Sequence, residues 1–276
     1  MARDAHLMPI VDATALFATT DPGSTRAGVD AAIAESLQQH GAVVLHGLPP
    51  PARLSPSRAA MLCSYFSLPA ELKAEQQVAV QRKANSNVFW GYYARHQGGG
   101  ATRWLYNEHM QMGPTRDVPH RGMWNEAQGR FVSSNGGGDD SDDPHFAASP
   151  WPAETVLPGW RHEMESYFLA MEGVGEAILR AVVRHLGAAA LGVVDDNDAA
   201  AHWRGGVSTL RPMRYPALPA GIDPSQPGEG FSLSETGRLV TAGEHCDNGT
   251  GISLIWQESA GLQVRSPSTN MWVDVP

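Results

Sequence analysis

The sequence predicts an α+β protein whose core is mainly β, and three observations support this. The N-terminal third shows helical spacing with start and stop residues of the expected kinds. A long amphipathic pattern then runs over residues 158–187. The last quarter consists of short β-branched or aromatic runs separated by Gly, Pro, Asn and Ser, which is typical of antiparallel strands joined by tight turns.

The N-terminal region begins with a short strand and a helix. "PIVDATALF" favours the strand, and "STRAGVDAAIAESLQQHG" favours a helix with Ser24 as its N-cap and Gly41 at its end. "AVVLHGLP" then has the composition of a buried strand. We therefore expect the first elements to alternate between strand and helix.

Two further helices are expected before an irregular middle. The first lies in "SRAAMLCSYFSLP" and is ended by Pro69, and the second begins at "AELKAEQQ". Residues 84–157 are interrupted by Gly-rich and Pro-rich stretches, which favour loops and short strands. Within this middle, the acidic stretch at residues 139–145 lacks the central glycine and terminal glutamate of an EF-hand loop, so a solvated loop is expected.

The long helix is predicted by the spacing of its apolar residues. Apolar or small residues recur at steps of three and four, at positions 164, 168, 171, 175, 178, 182 and 186. Gly187 follows as the expected end of the helix. "GVGEAI" has two of the glycines of a dinucleotide loop, but it lies inside this amphipathic pattern, so helix packing explains it better. His185, near the end, is expected to be a satisfied structural histidine.

Composition excludes several classes of partner and compartment. The 29 acidic and 20 basic residues give a formal net charge of −9, which would repel a phosphate backbone, so no nucleic acid is expected to bind. Cys63 and Cys246 are too few for a disulfide framework, and Cys63 is expected to be a small buried hydrophobe. Neither a signal-peptide pattern nor a run of about 18 apolar residues is present. We expect a cytoplasmic protein without a membrane partner.

The last quarter carries five strand candidates. They are "VSTLRPMRYP", "GRLVTAG", "TGISLIWQ", "GLQVR" and "MWVDV". Each is a short run bounded by turn-forming residues. An Asn-Gly pair precedes "TGISLIWQ" and predicts a tight turn before a buried strand.

The stretch "GEHCDNGTGISLIWQ" contains a candidate metal site. His245 and Asp247 are one residue apart, and in a strand this spacing places both side chains on one face. An imidazole nitrogen and a carboxylate oxygen suit Fe(II), Mn(II) or Zn(II), and a two-histidine, one-carboxylate triad leaves coordination positions open. The pair is expected to end a strand at the mouth of a barrel, where small-molecule sites form. Spacing alone also fits a pair of surface polar residues.

A second group of candidates precedes the His-x-Asp pair. "STLRPMRYP" offers Arg211, Arg214 and Tyr215, and an arginine fork or a tyrosine hydroxyl is suited to hold a carboxylate. A strand with exposed arginines fits the same residues equally well. His109, in "NEHMQMG", is expected to be a satisfied structural histidine.

Ten segments from the first strand to the end of the sequence form one ordered series. They are "MPIVDATALF", "QQHGAVVLHGLP", "YFSLPAELKAE", "GYYAR", "NEHMQMGP", "SPWP", "YFLAMEGVGEAILRAVVRHLG", "TLRPMRYP", "GEHCDNGTGISLIWQESAGLQVR" and "MWVDVP". In this order they resemble the isopenicillin N synthase-like branch of the Fe(II)/2-oxoglutarate-dependent dioxygenases. The resemblance implies a double-stranded β-helix, or jelly roll, with an N-terminal helical region and a long supporting helix.

The resemblance also implies a domain division and a chemistry. Residues 1–115 would form the N-terminal dioxygenase region, residues 116–157 an irregular connection, and residues 158–276 the long helix with part of the oxygenase jelly roll. The cofactor would be Fe(II), with 2-oxoglutarate and O₂ as cosubstrates. A bound small molecule would be hydroxylated, desaturated or cyclised while 2-oxoglutarate is converted to succinate and CO₂.

The family's site residues transfer to three positions, and Arg211 is a candidate from its side chain alone. His245 and Asp247 match two of the three iron ligands, and no catalytic residue beyond the metal ligands is implied. Tyr215 matches a tyrosine that commonly helps to bind the cosubstrate, and Arg211 is a weaker candidate for the same role. Met213 stands where the family usually has asparagine.

The family's second histidine ligand and its Arg-x-Ser have no counterpart in the sequence. No histidine follows His245, so the resemblance predicts that the sequence is part of a longer chain. His109 or His46 would be the residue to supply a replacement ligand. Two alternatives remain: an oxygenase of the same fold that does not use 2-oxoglutarate, and an inactive fragment or binding module. The sequence does not predict the oligomeric state.

Overall fold

The computed structural model describes twelve parts of the chain. These are residues 8–19, 23–76, 91–97, 104–113, 123–125, 130–132, 149–205, 208–221, 223, 232–234, 237–247 and 251–276. The acidic stretch at 139–145 and the Asn248-Gly249 turn predicted from the sequence lie outside them.

The described residues contain six α-helices. They are α1 (Thr14–Phe17), α2 (Gly23–His40), α3 (Pro56–Ser64), α4 (Ala70–Ala74), α5 (Trp160–Leu186) and α6 (Asp196–Gly205). Short 3₁₀ turns follow β2, α3 and α5, at Pro50–Ala52, Tyr65–Ser67 and Ala188–Leu191. The predicted helices are therefore confirmed, and "GVGEAI" lies inside α5.

The strands are short. They are β1 (Ile10–Asp12), β2 (Val44–His46), β3 (Gly91–Gln97), β4 (Trp104–Gln111), β5 (Met123–Asn125), β6 (Arg130–Val132), β7 (Met213–Arg214), β8 (Ser232–Leu233), β9 (Leu239–Val240), β10 (Gln263–Arg265) and β11 (Trp272–Asp274). In the described residues β3, β4 and β7 form a three-stranded sheet, whereas β1–β2, β5–β6, β8–β9 and β10–β11 form separate pairs. Of the antiparallel strands expected in the last quarter, β7 joins β3 and β4, whereas β8–β9 and β10–β11 form separate pairs. No complete jelly roll is traced by the described strands.

Helix ends follow local chemistry, with one departure from prediction. Helix α3 begins after Ser55, whose hydroxyl accepts a hydrogen bond from the Arg58 amide at 3.2 Å, and Pro56 occupies its first position. Helix α2 begins at Gly23, so the expectation that Ser24 is its N-cap is wrong. Gly41 ends α2 with a φ of 72°, a conformation that glycine adopts without strain.

Helix α5 carries two hydrophobic clusters. Near its start, Trp160 and Met164 pack with the buried residues Tyr65, Phe66, Met110 and Met112. Further along, Val174, Ile178 and Ala181 pack with Val11, Ile33 and Ala52 from the N-terminal region. The apolar stripe predicted from spacing is therefore the face that joins the N-terminal helices to the three-stranded sheet.

Two residues of these helices are more exposed than predicted. The thiol of Cys63 is exposed on α3, so the expectation of a small buried hydrophobe is wrong. His185 is exposed near the end of α5 and lines an open surface pocket beside Arg184, so it is not a buried structural histidine.

Among the described residues, no single helix is long and apolar enough to cross a membrane. One bent pair, Trp160–Leu186 with Ala188–Ala200, has the length and apolar composition of a membrane span when its two parts are taken together, and the parts meet at an angle of 116°.

The C-terminal residues dock onto the N-terminal region. The hydroxyls of Ser266 and Ser268, in the loop between β10 and β11, each donate to the carbonyl of Gln39 at 2.7 Å. Ile252 and Leu254 pack against the cluster around Ile33. These contacts place Gly251–Gln257 and the β10–β11 loop beside the helical region, and Ser253 in the first of these bonds to Asp247.

The segment Gly251–Gln257 departs from prediction. It forms no β-ladder with any described strand, and Ile255 and Trp256 are 64% and 50% exposed. The expected buried strand is therefore wrong in this structure. Alternate residues still point inwards at Ile252 and Leu254, so the segment keeps the extended alternation that its sequence favours, without the hydrogen bonds of a strand.

Candidate active site

The three-stranded sheet β3–β4–β7 has two chemically different faces. Strand β4 pairs antiparallel with β3, so that Tyr93 lies opposite His109 and Arg95 opposite Asn107. On its other side His109 lies opposite Met213. Because side chains directly opposite one another in a sheet project from the same face, these residues share one face, here called the site face.

The site face extends to Arg211 and Tyr215. A bridge between Met112 and Leu210 keeps the register of the β4–β7 pair, which places Arg211 opposite Gln111. The Arg211 Nε donates to the Gln111 Oε1 at 2.8 Å. Tyr215 lies two residues beyond Met213, and the charges of Arg95 and Arg211 act on its hydroxyl. The site face therefore groups polar, cationic and aromatic side chains.

The opposite face of the same sheet is held by a buried ion-pair network. Glu108 is fully buried, and its Oε2 accepts from the Lys73 Nζ at 2.7 Å and from the Tyr92 hydroxyl at 2.7 Å. Arg214 forms an ion pair with the Oε1 of Glu108. This network ties β4 to α4, β3 and β7 at once, and it fixes the strand whose other face is the site face.

Arg214 therefore does not belong with Arg211. The two arginines lie on opposite faces of the sheet, because they are an odd number of residues apart. Arg214 pairs with Glu108, whereas Arg211 bonds to Gln111. Of the three residues in "STLRPMRYP" that were expected to hold a carboxylate, Arg211 and Tyr215 are on the site face.

His245 and Asp247 lie together, as their spacing predicts, but not on a strand. The His245 Nε2 is 3.5 Å from the Asp247 Oδ1, in a segment that has no ladder partner among the described residues. The His245 Nδ1 is 2.8 Å from the carbonyl of Gly243, and the Ser253 hydroxyl donates to the Asp247 Oδ2 at 2.5 Å. These bonds orient the imidazole and leave its Nε2 facing the carboxylate.

The donor pair fits one divalent cation. Ligand nitrogen and oxygen atoms lie about 2 Å from a bound transition metal, so two donors to one ion are at most about 4 Å apart. The observed 3.5 Å falls within this limit. The Nδ1 of His245 bonds to a carbonyl, and the Asp247 carboxylate bonds to a hydroxyl. Metal ligands in proteins commonly have such second hydrogen bonds, which orient them towards the ion.

Arg211 links the donor pair to the sheet electrostatically. Burial lowers the pKa of its guanidinium, and the Asp247 carboxylate opposes that shift. Desolvation raises the pKa of the Tyr215 hydroxyl, so it stays protonated at neutral pH and can donate a hydrogen bond. The charge of Asp247 therefore acts on Arg211, and the charge of Arg211 acts on the Tyr215 hydroxyl.

His109 was expected to be a satisfied structural histidine, and this is wrong for one of its nitrogens. The side chain is 5% exposed, and its Nδ1 has no hydrogen-bond partner among the described residues. Its ring lies 5.2 Å from the ring of Tyr93. Burial, with the nearby charges of Arg211 and Arg95, lowers the pKa of His109 to about 4.

The lowered pKa of His109 predicts that the protein loses stability in mild acid. Between pH 4 and 6.5 the unfolded chain binds a proton at His109 and the folded chain does not. The contribution of His109 to the free energy of unfolding is therefore complete above pH 6.5 and is lost as the pH falls towards 4. His109 should contribute a loss of about 2 kcal/mol between pH 7 and pH 5. Urea unfolding of the wild type and His109→Gln at both pH values measures it. An equal pH dependence in the two proteins would contradict the shift.

The replacement ligands suggested by the sequence do not join the donor pair. His46 is exposed on β2 and lies 3.9 Å from Asp12, whereas His109 is on the site face. Within the described ranges no three His, Cys, Asp or Glu side chains form a group able to hold a metal ion. Among the described residues, the donor pair therefore consists of His245 and Asp247 without a third side chain of these types.

The sequence pattern of β4 was not recognised as part of the candidate site. In "NEHMQM" the residues at 107, 109 and 111 are polar and those at 110 and 112 are methionine, a period of two that predicts a strand between a polar and an apolar environment. Reading this alternation would have placed Asn107, His109 and Gln111 on one face. The partners of Glu108 are distant in sequence, and no local signal identifies them.

The chain is similar in structure to solved proteins over most of its length. A full-length protein of Neurospora crassa, in complex with alpha-KG and 5-formyluracil, is 22% identical with a TM-score of 0.65, over 100% of this chain and 70% of that one. The dioxygenase for auxin oxidation 1 of Arabidopsis thaliana, in complex with 2-oxoglutarate, is 15% identical with a TM-score of 0.52, over 98% of this chain and 75% of that one.

A third solved structure is also similar to this chain. A putative 2OG-Fe(II) oxygenase family protein of Caulobacter crescentus is 17% identical with a TM-score of 0.50, over 86% of this chain and 70% of that one. No family model matches the sequence, and no curated protein matches it significantly. The similarity in structure without close similarity in sequence shows that this chain has the fold of the 2OG-Fe(II) oxygenases.

Proposed function

We propose that the chain is a non-haem Fe(II) and 2-oxoglutarate-dependent oxygenase that oxidises a small organic molecule. The observation that carries the proposal is the His245–Asp247 donor pair, 3.5 Å apart, in a chain with the fold of 2OG-Fe(II) oxygenases. The order of the sequence segments supports an isopenicillin N synthase-like member of that group. The alpha-KG and 2-oxoglutarate complexes of two structural neighbours support the choice of cosubstrate.

In this proposal His245 and Asp247 hold the iron. The carbonyl of Gly243 accepts the proton of the His245 Nδ1, which leaves the Nε2 lone pair free for the metal. The Ser253 hydroxyl binds one carboxylate oxygen of Asp247 and leaves the other for the metal. Iron with 2-oxoglutarate supplies the activation of O₂, which side chains alone do not provide.

Arg211 and Tyr215 bind the cosubstrate. Arg211 retains donors beyond its Nε, which bonds to Gln111, and it lies near Asp247. Tyr215 has a protonated hydroxyl under the influence of Arg211. A guanidinium and a hydroxyl donor together bind a carboxylate with charge-assisted hydrogen bonds, and the interaction of Arg211 with Asp247 would direct that carboxylate to the metal.

The experiment is an assay of 2-oxoglutarate turnover by the 276-residue chain. The protein is loaded anaerobically with Fe(II), 2-oxoglutarate is added, O₂ is admitted and succinate is measured. We expect stoichiometric iron and iron-dependent succinate. Stoichiometric iron without succinate would overturn the choice of cosubstrate in favour of an oxygenase that does not use 2-oxoglutarate. Absence of iron binding would overturn the proposal in favour of a binding module.

A further inference from the structure

Asn107 and His109 are buried polar residues with unused hydrogen-bonding atoms on the site face. They are 3% and 5% exposed. The Asn107 Oδ1 and the His109 Nδ1 have no partner among the described residues. Buried polar atoms are nearly always hydrogen-bonded, and leaving one unpaired is costly. The described residues hold five other buried side-chain atoms without a hydrogen-bond partner. These two are distinguished by their position on alternate residues of one strand, on the site face.

The surroundings of these two residues restrict what could bind them. Strand β4 places them between Arg95 on β3 and Met213 on β7. The ring of Tyr93, 38% exposed, lies 5.2 Å from the ring of His109 and offers a flat apolar surface. The charges of Arg95 and Arg211 both reach His109, so a cationic ligand would be repelled. A neutral imidazole and a carboxamide can each pair with an uncharged polar group.

We propose that Asn107 and His109 form the substrate-binding subsite, and that the substrate is a small, planar, uncharged molecule with an N–H or O–H donor next to an acceptor. The donor bonds to the Asn107 Oδ1, the His109 imidazole bonds to the neighbouring heteroatom, and the ring packs against Tyr93. Burial of both residues makes the subsite selective, because a molecule that lacks the donor leaves the carboxamide oxygen unpaired. The role as a substrate site rests on the proposed function, whereas the binding does not.

Binding is tested with three simple probes. 2-Pyridone has an N–H beside a carbonyl, N-methyl-2-pyridone lacks the donor, and N-methylpyridinium is a cation of similar shape. Saturation-transfer NMR on the full chain at neutral pH, without iron or 2-oxoglutarate, measures their affinities. We expect 2-pyridone to bind at least about tenfold more tightly than the other two. Equal binding of 2-pyridone and its N-methyl analogue, or no binding of 2-pyridone, would overturn the proposal.

Two variants separate a binding role from a structural one. Asn107→Leu should lose the preference for 2-pyridone and keep or raise the unfolding midpoint, because it removes a buried unpaired group. Gln38→Leu, which removes an exposed amide on α2, is the matched control and should keep both properties. A lower midpoint with the preference retained would show that Asn107 is structural and overturn the proposal. If Asn107→Leu does not fold, His109→Gln decides, and an unchanged preference would overturn it.

This experiment is independent of the oxygenase assay. Loss of the preference in Asn107→Leu supports the subsite even if the chain forms no succinate. Succinate formation together with equal binding of the pyridones would overturn the subsite and leave the proposed function standing.

Discussion

Replacing Glu108 by glutamine is expected to destabilise the protein by about 3–5 kcal/mol, because it leaves the buried ammonium group of Lys73 without its counter-charge. Glu108 is fully buried and accepts hydrogen bonds from Lys73 and Tyr92, each at 2.7 Å, while Arg214 pairs with its second oxygen. Lys73 is itself buried, with 7% of its side chain exposed. Its ammonium group would keep the carbonyl of Phe66 as an acceptor at 3.3 Å but lose the carboxylate.

The matched control for Glu108→Gln is Glu165→Gln. Glu165 pairs with Arg161 one turn away on α5 at 2.8 Å, where the arginine is 47% exposed. Exposed pairs of this kind contribute about 0.3–0.5 kcal/mol. Urea unfolding at neutral pH compares the two variants. If Glu108→Gln cost no more than Glu165→Gln, the network would not be what holds β4 in place.

Replacing His245 by alanine is expected to reduce iron affinity at least about 100-fold and to change stability little. Loss of a hydrogen-bond partner of a metal ligand commonly reduces metal affinity about 10–100-fold, and loss of the ligand itself reduces it more. The His245 side chain is 67% exposed, so its removal opens no cavity. Iron content after anaerobic reconstitution, measured beside a urea unfolding curve, gives both quantities.

His185→Ala is the control for this variant. His185 is another exposed histidine, on α5 beside Arg184, and its removal should leave iron content unchanged. Equal iron content in the wild type and in His245→Ala would reject His245 as a ligand. Equal loss in both variants would point to non-specific binding by exposed imidazoles.

The helices could be predicted well because their signals are local. In α5 the three-and-four spacing of apolar residues and the closing Gly187 define both its face and its end, and Pro69 likewise limits the helical stretch after α3. Strands β10 and β11 were predicted for a similar reason, since "GLQVR" and "MWVDV" are short β-branched or aromatic runs bounded by turn-forming residues.

Elements that depend on distant partners could not be predicted in this way. "GISLIW" has the composition of a buried strand, but a strand also requires a neighbour to complete its hydrogen bonds, and no described segment pairs with it. The exposure of Cys63 depends on which face of α3 meets α5, and the apolar residues around it do not reveal this.

The candidate site was predicted in part. The spacing of His245 and Asp247 predicts that their side chains meet, and the 3.5 Å distance confirms it without the strand that was assumed. Arg211 and Arg214 looked alike in the sequence, but the register of β7 against β4 sends them to opposite faces. The unpaired atoms of Asn107 are found only when burial and neighbours are known, and the same holds for His109.

A crystal of the chain soaked anaerobically in Mn(II) tests the central claim most directly. Anomalous scattering should show one peak within about 2.3 Å of both the His245 Nε2 and the Asp247 carboxylate, as expected for a transition metal bound by nitrogen and oxygen. The absence of a peak at this pair, or a peak bound by other residues, would contradict the assignment of His245 and Asp247 as the metal ligands.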